Sequence, residues 1–231
     1  MNALLLSASS YKDTGYLNHS KGWIKEFLGK NWDEEILFIP FAGVTRTNYE
    51  YEKRVQNCLE NSNIKSIHHY KDMKNAIKNA KSICVGGGNT FMLMAKIYEF
   101  DLLDEIKNAV RNGAKYFGWS AGANIAGKTM MTTNDMPIIM PKSFESLNLF
   151  SYQINPHFIS GQIKGHNGES RETRLNEFLI ANPSEIVYAM PEGTAFLIDG
   201  DKAEVIGHSD ILKFEYKKDV QTIKIGEKIK I

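Results

Sequence analysis

Three short runs in the chain carry residue types that can act together on a carbonyl. Gly118-Trp119-Ser120-Ala121-Gly122 has G-x-S-x-G spacing and stands between an apolar run, Lys115 to Trp119, and a small-residue helix start. A serine in such a strand-to-helix elbow is held in a strained turn that exposes its hydroxyl, and the N–H of the following residue, here Ala121, points toward a developing oxyanion. The alternative is that Gly118 and Gly122 only let a strand and a helix pack closely. A second run, Gly86-Gly87-Gly88-Asn89-Thr90, also follows a strand and opens a helix, so Gly88 is the candidate for a second oxyanion donor. It lacks the Lys-Ser/Thr of a phosphate loop and the spaced glycines of a dinucleotide turn, although a plain tight turn stays open.

A serine hydroxyl needs a base, and the base needs an acceptor to orient it. Among six histidines, His157 in Gln153-Ile154-Asn155-Pro156-His157-Phe158 is the best placed, because Pro156 stiffens the backbone and the neighbours are apolar. His68 and His69 form a polar pair before a helix, His19 and His166 fall in loops, and His208 lies near a late turn. Two carboxylates compete for the orienting role. Asp135 follows Thr132-Thr133-Asn134 in an irregular segment, and Glu192 sits in Pro191-Glu192-Gly193 after a buried strand; either can also be a turn-capping side chain.

The elements that must position these residues follow from pattern. Ala3 to Ser7, Ile36 to Phe41, Ser82 to Val85 and Lys115 to Trp119 are short apolar runs bounded by turn residues, as expected of strands buried on both faces. Helical periodicity lies between them, clearest from Asp101, which can cap, to Asn112 before Gly113. Alternation of this kind predicts an α/β fold with a mainly parallel sheet, and places a site at the carboxyl ends of the strands. Beyond Tyr152 a helix from Arg171 to Ala181 precedes three strand-like runs, Ile186 to Ala189, Ala195 to Ile198 and Ala203 to Ile206, expected as antiparallel additions. Met130 to Asn148 is expected to be a long irregular segment.

Composition limits the rest. The 231 residues, 42% of them apolar, suit one domain spanning 1–231. With 28 basic and 27 acidic residues the net charge is +1 and no basic stripe forms, which argues against a nucleic-acid partner. Cys58 and Cys84 stand far apart without a CxxC or Cys/His neighbourhood, so two buried, reduced thiols are expected and no metal site or cofactor is indicated. The start, MNALLLSAS, lacks a basic region, and no apolar run can span a bilayer; a cytoplasmic chain without a membrane partner is expected, as monomer or homodimer.

GGGNTF at Gly86 to Phe91, GWSAGAN at Gly118 to Asn124 and NPH at Asn155 to His157 together resemble the peptidase E family, the aspartyl dipeptidases of the S51 serine peptidases. The resemblance covers nearly the whole chain. It implies a flavodoxin-like three-layer α/β sandwich related to the class I glutamine amidotransferases, with Ser120 as nucleophile, His157 as base and Asp135 as acid. It also implies hydrolysis of dipeptides, and some tripeptides, bearing an N-terminal aspartate. The substrate carboxylate then needs a cation. Arg171, which follows the capping candidate Ser170, is the first choice and Arg174 a substitute, with Asn89 and Glu192 as further candidate substrate contacts. A cyanophycinase-like or isoaspartyl hydrolase is the rival enzyme reading. A non-catalytic ligand-binding domain with phosphate-holding glycine turns is the rival outside enzymes.

Overall fold

In the computed structural model, which describes residues 1–162, 165 and 167–231, the strands are β1 (Asn2–Leu6), β2 (Ile36–Ile39), β3 (Ile64–Ser66), β4 (Ser82–Val85), β5 (Lys115–Trp119), β6 (Gln153–Phe158), β7 (Ile186–Pro191), β8 (Thr194–Asp199), β9 (Lys202–Gly207), β10 (Ile211–Glu215), β11 (Gln221–Ile223) and β12 (Lys228–Lys230). The helices are α1 (Lys21–Leu28), α2 (Asn48–Leu59), α3 (Met73–Asn79), α4 (Thr90–Glu99), α5 (Leu103–Arg111), α6 (Ala121–Asn124) and α7 (Arg171–Ala181).

Eight strands form the main sheet in the order β12-β9-β8-β1-β5-β4-β2-β3. From β1 to β3 every pairing is parallel, whereas β8, β9 and β12 add antiparallel. Alternate side chains go to opposite faces, and the two resulting cores explain the unbroken apolar runs. Ala3, Leu5, Ile39, Val85 and Tyr116 pack with Leu93, Ile97, Ile106 and Val110 of α4 and α5. Leu4, Leu6, Phe38, Phe117 and Trp119 pack on the other side with Ile24 and Leu28 of α1 and Tyr51, Val55 and Leu59 of α2. Each fully buried side chain of this size contributes roughly 1.5–3 kcal/mol. The result is three layers around a mainly parallel sheet, as expected from the sequence.

A second sheet, β11-β10-β7-β6, was not anticipated as a separate unit. Of the three late runs, β8 and β9 are the expected antiparallel additions. β7 instead joins the second sheet, parallel to β6 and antiparallel to β10, because a strand at residues 153–158 gives it a partner that the alternation in the sequence did not reveal. Two boundaries also shift. β2 stops at Ile39 because Pro40 has no N–H to donate. α5 starts at Leu103 with no side-chain cap, since Asp101 adopts φ 54° and pairs with Lys74. Residues 130–148 are irregular, apart from turns and bends and an isolated bridge from Glu145 back to Thr129. Both cysteines are free; Cys84 is buried and Cys58 only half so. Among the described residues, no helix is long and apolar enough to cross a membrane.

Candidate active site

Ser120 sits at the carboxyl end of β5 with φ 54° and ψ −113°, a conformation that non-glycine residues rarely adopt. The surrounding backbone fixes it there. Its N–H donates to Leu6 O at 3.0 Å, while its carbonyl accepts from Ala123 N at 3.0 Å and Asn124 N at 2.8 Å. The flanking glycines are needed for approach rather than for φ: a Cβ on Gly122 would lie 2.2 Å from Val85 O, and one on Gly118 would lie 2.7 Å from the Gly122 carbonyl. Strain held by such close packing is common where a nucleophile must be presented.

The glycine turn after β4 lies alongside. A Cβ on Gly87 would fall 2.9 Å from Ser120 Cβ, and Gly88 turns at φ 135° over the Ala42 carbonyl. Behind it Tyr51 Oη donates to Gly87 O at 2.7 Å and meets Tyr16 Oη at 3.1 Å, which in turn accepts from Trp119 Nε1 at 3.0 Å. This buried chain of polar groups ties the glycine turn to the serine strand. Burial pushes the pKa of both phenols above the usual tyrosine value, so they stay neutral donors.

His157 arrives from the second sheet. The β6–β7 register shifts between Asn155 and Phe158, and His157 itself takes φ 54°, a bulge that aims the ring at the elbow. Its Nε2 stands 2.8 Å from Ser120 Oγ, and its Nδ1 stands 2.7 Å from Glu192 Oε1. His157 and Glu192 are partly open, with side-chain exposures of 38% and 50%. The sequence did not point to Ser7, a buried residue just past β1. It accepts the His157 N–H at 3.0 Å and donates to Met190 O at 2.7 Å, holding the bulge against β7.

Asp135 is not the carboxylate at this imidazole. Its Oδ2 accepts from Thr90 N at 2.7 Å, Thr90 Oγ1 at 2.6 Å and Thr133 Oγ1 at 3.1 Å, so it anchors the irregular segment at the start of α4. The physical reason is competition: orphan donors at a helix N-terminus take a carboxylate, and Glu192 already occupies Nδ1. Asn89, expected at the substrate, is also spent on structure, capping α4 through Met92 N at 3.0 Å and donating to Met136 O at 2.8 Å.

Arg171 opens α7 behind Ser170, whose hydroxyl accepts from Thr173 N as the pattern predicted. Its Nη1 donates to Asn134 Oδ1 at 2.5 Å, and Asn134 Nδ2 donates to Pro156 O at 2.7 Å, one residue before His157. Burial and then the charge of Arg174 lower its pKa from the usual guanidinium value, while Asp135 opposes them. The half-buried guanidinium is thus tethered beside the imidazole strand, whereas Arg174 is exposed. Of the other histidines, His19 and His208 lie with Tyr11 and Trp23 in an aromatic cluster, His68 and His69 lie beyond β3, and His166 is outside the described residues.

A hydroxyl on a strained elbow, bonded to an imidazole that is bonded to a carboxylate, is the arrangement of a serine-type hydrolase on a mixed α/β fold. The sequence profile of Peptidase family S51 matches residues 3–206. Peptidase E of Actinobacillus pleuropneumoniae serotype 7 is 54% identical over 223 residues, covering 96% of this chain and 95% of that protein. Peptidase E of Haemophilus influenzae strain Rd is 55% identical over 208 residues, covering 89% and 95%. The crystal structure of a peptidase from an acI-B1 actinobacterium superposes with a TM-score of 0.68 at 18% identity, covering 100% of this chain and 96% of that one, a likeness of fold. The chain belongs to peptidase family S51, and it is a serine-type dipeptidase of the peptidase E kind.

Proposed function

We propose that this enzyme removes N-terminal aspartate from dipeptides and some tripeptides, with Ser120 as nucleophile, His157 as base and Glu192 as the carboxylate that orients it. The observation that carries the reading is the continuous relay of hydrogen bonds at 2.7 Å and 2.8 Å from Glu192 through His157 to Ser120. His157 Nε2 takes the hydroxyl proton as Oγ bonds to the peptide carbonyl carbon. The Gly88 and Ala121 N–H groups stabilise the oxyanion, and the protonated imidazole gives its proton to the departing amine. Water, deprotonated by the same imidazole, then releases aspartate and restores Ser120.

Arg171 reads the aspartyl side chain. Its remaining guanidinium donors and its partial burial suit a small carboxylate, since a charge-assisted fork is strongest where water is excluded. Asp135 and Asn134 act as positioning residues that hold the 132–136 segment between the glycine turn and Arg171.

The test is a panel of Asp-Leu, Asn-Leu, Ala-Leu and isoAsp-Leu with wild type and Ser120→Ala. Asp-Leu is expected to be preferred, and Ser120→Ala is expected to lose on the order of 10⁴ to 10⁶ in kcat. Turnover retained without the hydroxyl ends the nucleophile assignment, and indifference among the four peptides ends the aspartate assignment.

A further inference from the structure

The imidazoles of His68 and His69, set aside by the catalytic site, converge on a carboxylate. Consecutive side chains in a helical turn diverge, yet these two rings lie 4.0 Å apart between centroids, tilted by 36°. One ring nitrogen of each and one oxygen of Glu52 fall within 4.8 Å of one another. Among the described residues this is the one group of three such donors.

Glu52 is the unusual member. It lies on α2 with 4% of its surface exposed, and a buried carboxylate needs compensation. Its Oε2 accepts from Ser66 N at 2.9 Å and faces His69 Nε2 at 2.7 Å, and its Oε1 accepts from Gln56 Nε2 at 3.2 Å. Among the described residues no lysine or arginine pairs with it; Lys65 across the same cleft pairs with Glu35. Apart from the Ser66 and Gln56 donors, only the His69 imidazole among the described residues faces this buried carboxylate, whereas a divalent cation would balance its charge.

The supporting shell suits a metal as well. Carboxylate ligands are commonly held by hydrogen bonds from outside, as Ser66 N and Gln56 do here, and ligating imidazoles are oriented through their other nitrogen. His68 Nδ1 is held by Ser66 Oγ at 2.7 Å. Glu52 and His69 line a surface cleft of about 430 Å³, which supplies an entry path. Metal–nitrogen and metal–oxygen bonds near 2.0–2.2 Å put tetrahedral ligands roughly 3.3 Å apart, so side-chain rotation is enough to admit the ion.

We infer that Glu52, His68 and His69 form a binding site for a first-row divalent transition cation of the zinc type, with an open fourth position for water. The donor set, two imidazoles and one carboxylate, selects such ions over magnesium or calcium. On binding, the Glu52–imidazole hydrogen bond gives way to two metal–ligand bonds, and the His69 ring proton moves from Nε2 to Nδ1. Three strand spacings separate β3 from β5, roughly 14 Å, so the ion takes no part in attack on the peptide. It clamps α2 to the turn that follows the edge strand β3 and stabilises the fold by mass action. The sequence concealed the site because Glu52 lies on a different element, far in sequence from the His pair.

Tag-free, chelator-stripped protein should bind one equivalent of Co(II) with the intense visible absorption of a tetrahedral site, and Zn(II) should displace it and raise Tm. His69→Gln, His68→Gln and Glu52→Gln should each weaken binding by about tenfold or more while keeping the wild-type circular dichroism, whereas His157→Ala should bind normally. Absence of a stoichiometric site in wild type overturns the inference. So does a site that survives all three substitutions, or one that disappears with His157→Ala.

Discussion

Glu192→Gln tests the assignment of the orienting carboxylate most directly. The substitution keeps the shape of the side chain and removes its charge, so the cost is the interaction between that charge and the imidazolium formed during attack. With the contact at 2.7 Å, the charge centres stand roughly 4 Å apart, worth about 1 kcal/mol in bulk water and about 4 kcal/mol at an effective dielectric near 20. Half of Glu192 and more than a third of His157 are open to solvent, which moves the value toward the lower part of that range. A loss of about 1–3 kcal/mol corresponds to a fall in kcat of roughly 5- to 150-fold, well short of the 10⁴ seen when a fully buried triad acid is amidated. KM should change little, because Glu192 does not hold the substrate in this scheme. The assay is release of free aspartate from Asp-Leu, joined to proton NMR of the enzyme carrying a phosphonate on Ser120, which keeps the imidazole protonated. A strongly downfield Nδ1 proton should be present in wild type and in Asp135→Asn, and shifted or absent in Glu192→Gln. A resonance that persists in Glu192→Gln and vanishes in Asp135→Asn would return the acid role to Asp135 and refute the reasoning.

Other substitutions probe the supports. Arg171→Ala should lower kcat/KM for aspartyl peptides by roughly tenfold to a hundredfold, the worth of a charged hydrogen bond of about 1.5–3 kcal/mol; an equal loss on asparaginyl peptides would show that the guanidinium does not read the carboxylate. Ser7→Ala leaves the His157 N–H and the Met190 carbonyl without their shared partner, so stability should fall by about 1–3 kcal/mol in urea denaturation and kcat should fall more than KM rises. Unchanged kcat would mean that the bulge holds without the hydroxyl. Gly122→Ala drives a methyl to 2.2 Å from Val85 O, and should cost about 1–3 kcal/mol of stability and displace the elbow; wild-type stability together with wild-type activity would refute the close approach.

What the sequence made legible divides along a physical line. β1, β2, β4 and β5 stand at or within two residues of where their apolar runs place them, because strands buried on both faces are mostly apolar and so advertise themselves. Ser120 and its glycines are equally readable, since a strained elbow with backbone oxygens 2.2–2.7 Å from a missing Cβ excludes other residue types. Glu192 and Asp135 were both visible as turn carboxylates, but the choice between them depends on how the second sheet docks. β6 carries its bulge only in partnership with β7, and β7 ends where Glu192 must meet the ring; neither fact has a local signature. Ser7 is hidden for the same reason, because a small hydroxyl after a strand gains meaning only from Met190 and His157, 183 and 150 residues away. The proposed nucleophile and oxyanion turn are thus written into short segments of one parallel sheet, whereas the proposed base, its carboxylate and Arg171 come from segments whose position is a tertiary fact. An enzyme divided in this way can keep its elbow fixed by packing while the second sheet and α7 vary, so substitutions in β6, β7 and α7 should change specificity and orientation sooner than they change the nucleophile.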